Sequence, residues 1–99
     1  MSEEKTLVIF RTDREGVCFA LFPEDPGNID PTTCSCYQHN GQHGSADFHG
    51  CISTSRPSTE QEKAPLKQEL ENIGYCIREV KKASYKQHKR RWDILKAYK

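Results

Sequence analysis

The stretch from Cys34 to Cys51 holds three of the chain's four histidines and three of its five cysteines: Cys34, Cys36, His39, His43, His49 and Cys51, with Asp47 among them. These are the side chains that ligate transition metals and carry acid–base or nucleophilic chemistry near neutral pH. Two chemistries follow from the residue types. In the first, a tetrahedral zinc site draws on Cys34, Cys36, His43 and His49. Cys34 and Cys36 form a C-x-C pair rather than the wider knuckle of familiar zinc modules. On a strand, residues two apart share a face, so both thiols point either at a metal or into the core as small hydrophobes. In the second, His39, His43 and His49 serve as general acid and base of a hydrolase or ribonuclease, with Asp47 orienting them and Cys51 as an alternative nucleophile. Against both stands turn chemistry. Asn40-Gly41 and His43-Gly44 are turn pairs, and turn side chains stand at the surface whatever their type. On that reading Tyr37, His39, Gln42 and His43 form a polar surface site that binds rather than catalyses, with His39 and His43 converging and no metal or other cofactor.

A second constellation lies at the C-terminal end. Lys81, Lys82, Lys86, Lys89, Arg90, Arg91, Lys96 and Lys99 are interleaved with Tyr85, Trp92 and Tyr98. Cations of this density can track phosphates while the rings stack on bases. The binding candidates here are Lys82, Tyr85, Lys86, Lys89, Arg90, Arg91 and Trp92. The same charges suit an acidic protein partner, and the bland alternative is a solvated helix docked by its Trp92 and Leu95 side. The charge division is sharp: residues 1–80 carry seven Lys/Arg against thirteen Asp/Glu, and residues 81–99 carry eight against Asp93 alone.

Composition bounds the rest. Ninety-nine residues, 34% hydrophobic and 29% charged, make one domain with a modest core and no run of membrane-spanning length. The Met-Ser-Glu-Glu-Lys opening lacks the basic and apolar regions of a signal peptide, so the expected setting is the cytoplasm, with five reduced thiols and no disulfide framework.

The elements that must position these residues are legible in part. Thr6–Arg11 and Val17–Phe22 are apolar, β-prone runs joined by a polar segment containing Gly16, which reads as a hairpin. Val8, Phe10, Cys18, Ala20 and Phe22 alternate with apolar Ile9 and Phe19, so both faces of the sheet need cover, from helices, loops or a second copy in a homodimer. Cys34–Tyr37 and Phe48–Ser53 read as third and fourth strands, and Gly41 and Gly44 argue against a helix between them. Thr59 and Glu62 form a capping box, Leu66, Leu70 and Ile73 recur at helical spacing, and Gly74 fits a C′ position. Pro65 predicts either a kink or a regular helix beginning near Ala64. Tyr75–Lys81 suits a strand and residues 83–98 a basic helix. The expected fold is α+β: a mainly antiparallel sheet of four or five strands with one packed helix, in a domain spanning 1–81, followed by a separable basic helix or tail over 82–99.

The segments Ala20-Leu-Phe-Pro23, Tyr37-Gln-His39-Asn-Gly-Gln-His43, Arg56-Pro-Ser-Thr59, Glu69-Leu70 and Ile73-Gly-Tyr75 resemble a group of short bacterial and phage-type proteins. The resemblance spans roughly residues 6–81, implies a bacterial or mobile-element setting, and carries over no catalytic residue. The functional expectation is therefore a small non-enzymatic protein binding nucleic acid or an acidic protein through its basic helix. The competing class is a metal protein or His-based enzyme built on the Cys34–Cys51 window.

Overall fold

A computed structural model of the chain describes residues 5–27, 32–38 and 42–97. Among these residues six short strands form one sheet: β1 (Thr6–Asp13), β2 (Cys18–Phe22), β3 (Thr33–Gln38), β4 (Gln42–Asp47), β5 (Ser55–Pro57) and β6 (Ile77–Glu79). Three helices accompany it: α1 (Phe48–Ser53), α2 (Glu60–Ile73) and α3 (Tyr85–Ala97). The order is β4-β3-β2-β1-β5, antiparallel throughout, and β6 adds to β1 in parallel. Strand β1 is thus shared along one edge, with Arg11–Asp13 facing β5 and Thr6–Val8 facing β6. The β1–β2 hairpin turns at Gly16, whose φ of 85° is costly for a residue with a Cβ.

Alternation along β1 and β2 separates two cores. Val8, Phe10, Ala20, Phe22 and Tyr37 face one way and pack on Leu66 and Leu70 of α2. Ile9, Phe19, Leu21 and Cys34 face the other way and pack on Phe48, with Cys36, Cys51, Ile52, Val80 and Ala83 around them. Leaving Ile9, Phe19 and Leu21 in water would forfeit roughly 5–9 kcal/mol, so the second face has to be covered. The chain covers it itself, with α1, the 80–83 segment and α3, and not with one packed helix alone.

Helix α2 follows its sequence signals. Thr59 accepts from the Glu62 N–H at 3.2 Å, and the Glu62 carboxylate accepts from the Thr59 N–H at 2.9 Å. At the far end Gly74 (φ 122°) donates to Glu71 O and Tyr75 donates to Leu70 O, the paired bonds of a Schellman stop. Pro65 lies inside the helix without ending it. The carbonyl it leaves without a helical partner is that of Gln61, one turn back on the same exposed face, where water can satisfy it.

Two expectations are corrected. Phe48–Ser53 is a helix, not a strand; the fourth strand is Gln42–Asp47. Phe48, Cys51 and Ile52 recur at i, i+3, i+4 and point together into the second core, a helical period in a segment too short to show it clearly. The buried Arg11 donates to Ile52 O at 2.9 Å, a carbonyl at the helix C-terminus, and to Ser55 O at 2.6 Å at the start of β5. The second correction concerns the basic end. Residues 85–97 are helical, but α3 is seated on the sheet rather than detached, with Arg91 only 1% exposed and Leu95 buried. Arg91 Nη1 donates to Pro23 O at 2.9 Å, and its guanidinium lies 5.8 Å from the centre of the Phe48 ring.

Arg91→Ala should therefore destabilise the domain by about 1.5–3 kcal/mol, the range for a hydrogen bond from a charged group. Lys96→Ala, at an exposed position of the same helix, should stay within about 0.5 kcal/mol of the parent. Denaturant melts check both; equal effects would mean that α3 is not anchored through Arg91.

Candidate nucleic-acid interface

Anchoring α3 at Arg91 sets its two flanks against different parts of the fold. At 3.6 residues per turn Lys86, Arg90 and Ile94 fall on one flank and Tyr85, His88 and Trp92 on the other. Lys89 and Lys96 lie on the outward ridge between them.

The first flank closes a cleft of about 520 Å³ against the β1/β6 edge and the turn after β2. Its floor includes Leu7, Phe22, Val80 and Ile94, and its rim carries five cations: Lys5, Arg78, Lys82, Lys86 and Arg90. Two carboxylates face them. Glu24 Oε2 is 3.9 Å from Arg90 Nε. Asp25 makes no side-chain hydrogen bond among the described residues; burial in the cleft pushes its carboxyl up while Arg90 draws it down. Among the described residues Lys5, Arg78, Lys82 and Lys86 have no carboxylate partner within 4.0 Å. Several cations outside the cleft are paired: Lys63 bonds Glu79 and Glu60, and Arg56 bonds Glu62. The Arg56 guanidinium and the Thr59 N–H hold the Glu62 carboxyl down at about 2.

Helix α3 begins where the cleft needs it. The Ser84 N–H donates to Gln87 Oε1 at 2.7 Å, one half of a capping box, and Gln87 itself lines the cleft.

The second flank carries a ladder of rings. Tyr85, 69% exposed, meets Trp92 edge-on at 6.1 Å; Trp92 stacks on His88 at 6.0 Å; His88 stacks on His49 at 5.7 Å. Phe48 meets His88 edge-on at 4.8 Å and ties the ladder to the second core. His88 Nδ1 is buried without a hydrogen-bond partner among the described residues. Desolvation, then the charges of Arg91 and His49, push the His88 imidazolium below its ordinary range.

The Cys/His window does not gather into one site among the described residues. Cys34 is buried, and desolvation pushes its thiol up to about 12, a core hydrophobe rather than a ready thiolate. Cys36 and Cys51 join the same cluster, and burial raises both thiols. Of the two alternatives for the C-x-C pair, both sulfurs facing the core is the one observed. No three His, Cys, Asp or Glu side chains among the described residues are placed to hold a metal ion. Asp47 is the exposed N-cap residue of α1, and its side chain makes no cap hydrogen bond. His49 lies exposed on α1 with His88 as its neighbour. His39 lies outside the described residues, as do the side chains of Gln42 and His43, so their convergence does too.

Two binding candidates are corrected. Tyr37 is fully buried and its hydroxyl donates to Glu69 Oε1 at 2.5 Å, so it fastens β3 to α2 instead of facing a ligand. Arg91 is committed to Pro23 and Phe48 and cannot reach a phosphate. Lys82, Lys86 and Arg90 line the cleft, Lys89 is exposed and pairs with Asp93 at 3.1 Å, and Tyr85 and Trp92 belong to the ladder. Lys5, Arg78, Glu24 and Asp25 were not foreseen. Lys5 and Arg78 reach the cleft through the parallel pairing of Leu7 with Arg78, a contact across seventy residues that no local pattern announces.

His88 also predicts a pH response. Its folded value lies below the unfolded one of about 6.5. The unfolded chain therefore takes up a proton that the folded chain resists, and stability falls as pH drops through about 6.5 towards the lower folded value. Thermal melts at pH 7.5 and 5.5 should show a larger loss for the parent than for His88→Phe; identical losses would remove His88 as the cause.

No family model, no curated protein and no solved structure matches the chain.

Proposed function

We propose that this is a small non-enzymatic nucleic-acid-binding protein that takes the sugar–phosphate backbone into the cleft between α3 and the β1/β6 edge. The observation that supports the reading is the convergence of Lys5, Arg78, Lys82, Lys86 and Arg90, from three separate elements and their flanks, on one concave surface. Like charges held together repel, and a polyanion relieves that repulsion while releasing its own condensed counterions. The body outside this region is acidic, which concentrates the attraction for anions in the cleft. A groove of this form suits a chain of phosphates better than the flat face of an acidic protein. The carboxylates Glu24 and Asp25 limit how deep a phosphate can sit and leave hydrogen-bond acceptors for sugar or base donors.

Five phosphate contacts predict that log K falls with log salt at a slope of about −3.5 on single strands or −4.5 on duplex. The double variant Lys82→Gln/Lys86→Gln should weaken binding and lower the magnitude of the slope by about 1.4–1.8. Arg14→Gln, in the hairpin turn at the opposite end of β1 and roughly 20 Å away, should leave the slope unchanged. Binding that ignores salt, or that loses as much with Arg14→Gln, would contradict the proposal.

A further inference from the structure

We infer that the nucleic acid is single-stranded, with its bases stacking on the ring ladder that begins at Tyr85. The inference rests on the proposed backbone-binding cleft and names which form of nucleic acid it serves.

Tyr85 is the most exposed large hydrophobic side chain among those described, at 69%. It sits in the first turn of α3 and belongs to neither core. A tyrosine gains nothing for helix stability there, since its helix propensity is ordinary and its ring is largely left in water. The ring is nonetheless held in place: Trp92 backs it edge-on, His88 and His49 continue the stack, and Phe48 fixes the inner end in the second core. An aromatic platform ordered in advance loses little entropy when a base lands on it.

The cleft and the ladder are opposite flanks of one helix, with Lys89 and Lys96 on the ridge between. A strand whose phosphates leave the cleft past Lys86 and cross the ridge near Lys89 brings its bases over Tyr85 and Trp92. A duplex cannot do this, because its bases are already stacked inside the helix and it presents only phosphates and groove edges to the rings. Stacking accepts any base, so the mode carries no strong sequence preference.

Trp92 is the chain's single tryptophan and reports directly on the ladder. The test is a fluorescence titration with an oligothymidine of about twelve nucleotides and with a duplex of the same length, at equal salt. The oligothymidine should quench Trp92 and bind at least tenfold more tightly than the duplex. Tyr85→Ala should weaken single-strand binding by about 5- to 150-fold, the loss for one stacked base, and leave duplex affinity and the single-strand salt slope unchanged. Tyr85→Phe should restore single-strand affinity. Equal affinity for the two forms, with Tyr85→Ala neutral, would overturn this inference and leave the basic cleft standing. Binding to neither form at low salt would overturn both.

Discussion

The guanidinium of Arg91 is the interaction on which the rest of the architecture turns. It is almost wholly removed from water, bonded to Pro23 O at 2.9 Å and set against the Phe48 ring. Burying a cation of this kind is costly unless it is hydrogen-bonded, and the carbonyl that Nη1 uses belongs to the turn that ends β2. That one bond ties α3 to the strand end that carries Glu24 and Asp25, and so brings Lys86 and Arg90 to the same cleft. It also places His88 and Trp92 beside Phe48 and His49. The basic cleft and the ring ladder are two consequences of a single anchor.

The sheet explains why an anchor is needed. Strands β1 and β2 are apolar on both faces, and α2 covers only one. Helix α1 is too short to cover the other, and α3, rich in Lys and Arg, has few apolar side chains to contribute. It therefore reaches the sheet through long side chains whose stems pack and whose heads find polar partners. The charged face that remains is pushed outward and to the cleft side. An arrangement that begins as a packing solution ends with five cations and two carboxylates lining one cleft.

Legibility in the sequence followed the range of the interactions. The hairpin, the capping box at Thr59, the Gly74 stop and the two-faced sheet rest on contacts between near neighbours or on alternation, and each could be read directly. The α1 helix could not, because Phe48, Cys51 and Ile52 span barely one turn. The grouping of Cys and His within eighteen residues suggests one site, but among the described residues of that window chain proximity does not become spatial convergence. Cys34 and Cys36 turn into the core, Asp47 stands at the N-cap position of α1 without a cap hydrogen bond, and His49 finds its partner in His88, thirty-nine residues away. The basic helix was legible as charge, though not as a docked element, since nothing local shows that Arg91 will bond a carbonyl sixty-eight residues earlier. Lys5 and Arg78 joined the site only through the parallel β1/β6 pairing.

Amide and indole chemical shifts followed by NMR while an oligothymidine is added test the central claim most directly. Binding in the cleft and on the ladder perturbs the signals of Lys5–Leu7, Glu24–Asp25, Arg78–Gln87, Arg90 and the Trp92 indole, with β4, β5 and the hairpin turn at Gly16 unaffected. Perturbations confined to residues 42–57, or none at millimolar ligand in low salt, would contradict it.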